Sequence, residues 1–329
     1  MIIARAPLRI PLGGGGTDLP SYYEQYGGFV LSVAVDKYVY ISVVEPAIGD
    51  TIILKYSRLE SVKAVSEIEQ PLLREAMRFL GIDRPIVIDS VADVPSGTGM
   101  GSSGSFLVAL LLALHSLNRD HVTPTALAEE ACFVEMERVR QAAGKQDQYL
   151  GALGGLTVLD ISRDGKVNAS PLKLPPQVID DLQSNLLLFY TGIRRQSFEI
   201  LQEQATDTER GVEHVVRSLH KTREIGLQIK GALEAGDLPE FGCLLHHHWE
   251  TKKLRSRSIA GSQIDRWYEI GRAAGALGGK LIGAGGGGFL LFYAAPEARP
   301  RVRAALAAEG LREMRFRFDF EGAKVMVNF

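Results

Sequence analysis

The sequence predicts an α+β protein. Strand-like and helix-like segments are intermixed without regular alternation, which disfavours a doubly wound parallel sheet. The 329 residues suggest two domains or one large one. Apolar residues make up 46% and charged residues 23%, enough for a real core without a disulfide or metal staple. The division is placed at 1–165 and 166–329, at the turn Arg163-Asp164-Gly165 ahead of the breaker Pro175-Pro176.

The elements follow from local pattern. Arg5 and Arg9 alternate with Ala6 and Leu8 in a strand or extended segment. Phe29–Val44 is rich in Val, Tyr and Ile, as strands are, and Thr51–Leu54 and Pro85–Val91 read likewise. Pro71–Leu80 is a short helix and Ser105–Leu117 an apolar one. Thr123-Pro124 supplies an N-cap and an N1 proline, so a helix should run from there to about Arg140. Gly144–Gly155 is expected as a loop and Leu156–Ile161 as a strand. The second half predicts a buried strand at Asn185–Tyr190 and helices over Ser197–Ala235, Leu238–Leu254 and Ile264–Ala276. Strands at Lys280–Ile282 and Phe289–Tyr293 flank a glycine-rich turn. A helix over Pro300–Glu309 and strands near Arg315–Phe320 and Lys324–Val327 close the chain.

Lys plus Arg number 37 and Asp plus Glu 39, a net charge of −2 that gives no support to a nucleic-acid partner. The most apolar stretch, Phe106–Leu114, is nine residues, against about 20 for a membrane span, and the start lacks a signal-peptide pattern. Two cysteines, Cys132 and Cys243, exclude a disulfide scaffold and a Cys-rich zinc site and fit a reducing cytoplasm.

Glycine stands out at 35 residues, where average usage gives about 23. The excess lies in three clusters: Gly13–Gly16 before Thr17-Asp18, Gly97–Gly104, and Gly283–Gly288. Tight turns are one explanation for any of them. The second cluster, with Ser102 and Ser103 leading into an apolar helix, is also a ready anion cradle at a helix N-terminus, although Ser102 serves equally as a plain N-cap. A Walker P-loop is absent, because no Gly-Lys pair is followed by Ser or Thr. The string Gly99-Met100-Gly101-Ser102-Ser103-Gly104 satisfies G-x-G-x-x-G, but so does Gly283–Gly288, and Asp93-Val94-Pro95-Ser96 separates the former from its strand.

Pro95–Gly104 resembles the P-x-x-G-x-G-x-G-S-S-[AG] signature of the GHMP kinase superfamily. Ala6–Arg9 with Gly15–Asp18 resembles its first motif, and Lys280–Phe289 its third. Within the superfamily the strings Arg5–Arg9, Gly14–Pro20, Gly144–Tyr149, Thr191–Arg195 and Leu244–His246 are most similar to D-glycero-D-manno-heptose 7-phosphate kinases. Galactokinases usually carry Gly-Glu-His-Thr-Asp in the first motif, and this chain has Gly-Gly-Gly-Thr-Asp. One departure is Arg140, where relatives often have glycine.

The resemblance implies a ribosomal-protein-S5-like N-terminal domain, a ferredoxin-like C-terminal domain with extra helices, and an ATP- and Mg²⁺-dependent cytoplasmic sugar kinase. ATP would contact Pro95, Gly97, Gly99, Met100, Gly101, Ser102 and Ser103. Asp147 is implied as the carboxylate facing the acceptor hydroxyl, with Arg9 near the transferred phosphoryl group. Ser103 and Glu135 resemble the Mg²⁺ pair, with Glu137 as a rival about 200° round the helix. Gly15, Gly16, Thr17 and Asp18 are expected at the sugar, with Gly285 and Gly286. A distal phosphate needs cations, for which Arg195 and Lys280 rank ahead of Arg194 and Lys145. Lys252 and Lys253 read as a solvated helix face. His246-His247-His248 cannot chelate one ion from a helix; His246 is the one expected toward the sugar. The partner is then a small-molecule sugar phosphate, a heptose 7-phosphate converted to the 1,7-bisphosphate. Another sugar (fucose, galactose or an aminosugar), a non-catalytic sugar sensor and a nicotinamide oxidoreductase are the competing readings, and homo-oligomerisation stays open.

Overall fold

The computed structural model describes residues 1–193, 197–256, 259 and 261–329. The first part of the chain runs β1 (Ile2–Gly13), α1 (Pro20–Tyr26), β2 (Gly28–Val44), β3 (Ile52–Lys55), β4 (Leu59–Val62), α2 (Pro71–Phe79), β5 (Ile86–Ala92), α3 (Ser102–Asn118), α4 (Pro124–Cys132), α5 (Gln146–Leu153), β6 (Leu156–Ile161) and β7 (Val167–Pro171). It continues with α6 (Pro176–Asn185), β8 (Leu186–Tyr190), α7 (Ser197–Glu209), α8 (Glu213–Glu234), α9 (Leu238–Lys253), α10 (Ser262–Ala273), β9 (Gly278–Leu281), β10 (Phe289–Tyr293), α11 (Arg299–Ala308), β11 (Arg312–Glu313) and β12 (Lys324–Asn328).

Two sheets organise these elements. The larger has eight strands in the order β12-β1-β2-β5-β3-β4, with β6 and β7 continuing from β2. It takes strands from both sides of residue 165. Only the β3–β5 pair is parallel. The smaller sheet is antiparallel, β11-β8-β10-β9. Each sheet presents a β-branched and aromatic face to its own core. Leu8, Ile10, Val33 and Ile41 pack with Leu107, Val108 and Leu111 of α3 in the larger core. Phe189, Phe292 and Leu290 pack with Trp249 and Tyr268 in the smaller. α3 is buried almost all round, as its unbroken apolar run requires, and Ser105 Oγ donates to the Pro7 carbonyl at 2.7 Å, tying it to β1.

Several local expectations change. Gly144–Gly155 is not a loop: its centre is α5, in which Gln148, Tyr149, Leu150, Gly151 and Ala152 are buried. The helix begun at Thr123 does not reach Arg140. Thr123 caps it as expected, accepting from the Ala126 N–H at 3.2 Å, but α4 ends at Cys132 and passes into a π-helical turn, Phe133–Arg138. Within that turn the Val139 N–H bonds the Val134 carbonyl, five residues back. Arg140 then adopts φ +58°, the left-handed backbone for which glycine is best suited, so the loop keeps a glycine-type path without a glycine. Ser197–Ala235 is two helices, broken near Arg210-Gly211.

Candidate active site

A cavity of about 990 Å³ opens between the two sheets' helices and is lined from β1, the Asp93–Ser103 loop, α5 and α9. All three glycine clusters reach it. The second and third touch backbone to backbone: a Cβ on Gly283 would lie 2.4 Å from the Gly99 Cα, so no larger residue fits there. On one side of the cavity the chain passes Pro95, Gly97, Gly99 and Gly101 and enters α3, whose first residues Ser102 and Ser103 also line the space. A 17-residue helix therefore aims its unpaired first-turn N–H groups and positive dipole end into the cavity. Ser102 Oγ is sealed from solvent and has no hydrogen-bond partner among the described residues. Beyond it lie Tyr56, Leu72 and Phe106, a partly apolar recess.

Asp147 sits in the first turn of α5. Arg9 holds it: Nε donates to Oδ1 at 2.8 Å and Nη2 lies 2.6 Å from the same oxygen. Arg9 Nη1 also donates to the Gly99 carbonyl at 2.6 Å, joining Asp147 to the glycine loop. Ser103 Oγ donates to Glu135 Oε1 at 2.6 Å, and Gln148 Nε2 to Oε2 at 2.7 Å. Glu135 is 2% exposed. Burial pushes its carboxyl up to about 7; the Ser103 and Gln148 hydrogen bonds oppose that, and the nearby Asp147 charge adds to it. Glu137 is exposed and does not line the cavity.

The opposite side of the cavity is built from charged side chains. Asp18 accepts from the Gly16 N–H at 3.0 Å and the Gln146 N–H at 3.2 Å. Burial, then the Asp147 charge, raises its carboxyl above the usual range. A Cβ on Gly144 would stand 2.0 Å from Asp18 Oδ2, so this glycine makes room for the carboxylate. Lys280 is buried, with Nζ 3.3 Å from the Leu12 carbonyl, and burial beside Lys252, Arg255 and Arg9 pulls its amine far down.

Lys252 corrects the solvated-face expectation. It is 5% exposed, donates to the Leu281 carbonyl at 3.1 Å and to the Gly283 carbonyl, and burial lowers its amine to about 7. Lys253 is only half-buried and pairs with Glu250 at 2.8 Å. Arg255, also buried, donates to the Gly15 carbonyl at 3.2 Å and to Thr222 Oγ1. His248, not His246, lines the cavity; His246 Nδ1 is 2.7 Å from the Tyr268 hydroxyl. Sequence reasoning gave His248 and Lys252 no part in the site and passed over Arg255, although their i, i+4, i+7 spacing is that of one helix face.

The remaining expected residues are placed as follows. Gly15 and Gly16 line the cavity. Thr17 is turned inward, its hydroxyl 2.8 Å from both the Gly14 and Phe29 carbonyls. Met100 is buried in the core, and its carbonyl accepts from the Arg9 N–H at 3.0 Å. Gly285 and Gly286, expected at the sugar, do not line the cavity; Gly286 donates to the Ile259 carbonyl at 2.9 Å. Lys145 points away, toward the Gly165 carbonyl and the Tyr23 ring. Arg194 and Arg195 lie outside the described residues.

The family model of the GHMP kinases N terminal domain matches residues 61–155, and that of the GHMP kinases C terminal domain matches residues 229–312. The chain belongs to the GHMP kinases. It has their two-domain fold and is a phosphotransferase that uses ATP. Among curated relatives of this GHMP kinase is the D-glycero-alpha-D-manno-heptose 7-phosphate kinase of Campylobacter jejuni, 26% identical over 98% of both chains. Another is the L-fucokinase/L-fucose-1-P guanylyltransferase of Bacteroides fragilis, 26% identical over 93% of this chain and 36% of its own. A solved D-glycero-D-manno-heptose 1-phosphate kinase from Bacteroides thetaiotaomicron superposes with TM-score 0.81 at 25% identity, covering all of both chains. No helix among the described residues is long and apolar enough to cross a membrane.

Proposed function

We propose that this GHMP kinase transfers the γ-phosphoryl group of ATP to the anomeric hydroxyl of D-glycero-D-manno-heptose 7-phosphate, giving the 1,7-bisphosphate in the cytoplasm. The observation that carries the reading is a charge imbalance. Once Arg9 and Asp147 are paired, three buried basic side chains of the cavity, Lys252, Arg255 and Lys280, have Asp18 as their nearby carboxylate among the described residues, and their mutual repulsion favours a bound anion. That surplus suits an acceptor that is itself an anion, and the Campylobacter relative is named for one.

The residues divide the work accordingly. The Gly97–Ser103 backbone and the α3 N-terminus cradle the ATP phosphates. Arg9, anchored to Gly99, meets the charge that spreads over the transferred group. Asp147 uses Oδ1 for Arg9 and keeps Oδ2 for the acceptor hydroxyl, whose proton it takes as the new P–O bond forms and ADP leaves. An anomeric hydroxyl is more acidic than an ordinary alcohol, so a carboxylate is base enough. Asp18 accepts from a ring hydroxyl. The site also fits Mg²⁺: Glu135 is a buried carboxylate whose hydrogen-bond partners, Ser103 and Gln148, are neutral, and burial raises its pKa. Ser103 and Glu135 would hold the ion, which when bound neutralises phosphate charge.

A panel of sugar phosphates and free sugars, followed by ADP release, tests the reading. Heptose 7-phosphate should exceed the unphosphorylated heptose by at least about 100-fold in kcat/KM, the worth of two charge-assisted hydrogen bonds. Preference for fucose, galactose or another free sugar overturns it.

A further inference from the structure

One histidine of the cavity has no assigned task. His248 is 1% exposed, and both ring nitrogens are closed to solvent with no hydrogen-bond partner among the described residues. Leaving two such atoms buried is costly unless something else completes them. Its neighbours are cations. Lys280, Arg255 and Lys252, in that order, depress its protonation, after burial itself. The two lysines in turn repel each other and Arg255. Lys252 and Lys280 spend their ammonium groups on backbone carbonyls, at Leu281, Gly283 and Leu12, and meet no carboxylate at hydrogen-bonding range among the described residues. The group comes from three separate segments: α9, the turn after it, and β9. Burying three basic side chains and an uncompensated imidazole together holds protons off the lysines, and a bound dianion offsets that by favouring their charged forms and completing the imidazole. Asp18 and the Arg9–Asp147 pair stand side by side next to the group: Asp18 accepts from the N–H of Gln146, the residue before Asp147, and Arg9 holds Asp147.

We propose that His248, Lys252, Arg255 and Lys280 form a seat for a phosphate monoester, the remote phosphate of the acceptor, with His248 setting specificity by donating a ring N–H to it. The assignment rests on the reading of the acceptor as a sugar phosphate. The acceptor is then gripped by its phosphate end, and Asp18 and Asp147 meet the sugar between that end and the reacting hydroxyl. Phosphate recognition so depends on His248 and Lys252 of α9 together with Arg255 and Lys280, not on the glycine clusters.

Inorganic phosphate is the probe, because it shares only the phosphate with the acceptor. It is titrated calorimetrically into the wild type with a non-hydrolysable ATP analogue already bound. The seat predicts binding that persists beside the analogue and weakens about 10- to 100-fold in His248→Asn and in Lys252→Met. In steady state the same variants should raise the KM for the phosphorylated acceptor by a like factor, with kcat and the KM for ATP within about threefold. Loss of phosphate binding on adding the analogue would place the anion on the glycine loop and overturn the seat. So would variants whose kcat falls while acceptor KM stays put, since the cations then serve the transferred group. Thermal melts of each variant identify misfolding, and Lys280→Met repeats the measurement from β9 if α9 variants melt early. A wild type that ignores heptose 7-phosphate but whose phosphate binding falls in the variants keeps the seat and drops the heptose. Variants that phosphorylate heptose 7-phosphate with unchanged KM do the reverse.

Discussion

The two sides of the cavity are made of different material. The glycine-loop side is mostly backbone, drawn from one run, Pro95–Ser103, and completed by the end of one helix. The cationic side is mostly side chains, drawn from Arg9, Asp18, His248, Lys252, Arg255 and Lys280, which only the fold brings together. The first can bind any phosphate chain of the right shape, because N–H groups do not distinguish what lies beyond the phosphates. The second can discriminate, because each charge is separately placed. A shared donor and a variable acceptor call for that division.

Asp147 stands where the two sides meet, so its substitution breaks the comparison most directly. Asp147→Asn keeps volume and a carbonyl but loses charge and basicity. Rapid-quench and steady-state assays should show kcat down by about 10²–10⁴, the usual weight of a general base, with ATP affinity little changed. A loss within about tenfold would make the residue a mere support of α5.

Stability against pH separates the sides by sign. The folded chain keeps a proton on Glu135 up to about pH 7, where the free side chain releases it near 4.5. This group's contribution is full below pH 4.5 and is lost as pH rises toward 7. Lys252 runs the other way: it is deprotonated in the folded chain above about pH 7 and near 10.5 when free, so its contribution grows with pH across that window. Each limb is of the order of 3–5 kcal/mol. Denaturant melts from pH 5 to 9, without metal or nucleotide, should show the difference between wild type and Glu135→Gln confined to the acid limb. The difference for Lys252→Met should be confined to the alkaline limb.

A smaller effect sharpens the glycine-loop side alone. Glu135→Gln should raise the Mg²⁺ concentration for half-maximal rate about tenfold, and Glu137→Gln should leave it within twofold. The opposite ranking would move the ion to the solvent face of the π-turn.

The same difference in material explains what could be read beforehand. The Pro95–Gly104 run carries its chemistry in consecutive residues, and β2, α2, α3 and β10 follow from local pattern. β1 was harder to read to its full length because Pro7 and Pro11 disguise it, yet it pairs with both β2 and β12. α5 was hidden by its glycines; its close approach to α3 is made by Gly104, where a Cβ would stand 2.6 Å from the Asp147 Cβ. Lys252 was misjudged because adjacent lysines look like a solvated pair. Only the packing of α9 on β9 shows that one of them turns inward.

The π-helical turn at Phe133–Arg138 has a consequence for how this enzyme tolerates changes of length. A π-turn holds one residue more than the α-helical turn it replaces. Removing a residue just ahead of Glu135 would let α4 wind on regularly, with no gap in the chain, but would take Val134 off its buried position in the core. It would also swing the carboxylate by about 100°, away from Ser103. A single-codon deletion here should lower turnover, and stability with it, because the carboxylate would take the core position of Val134. Position 135 faces inward because the chain is locally one residue too long, so the reading frame of the helix, as much as the identity of the glutamate, is what selection must hold fixed.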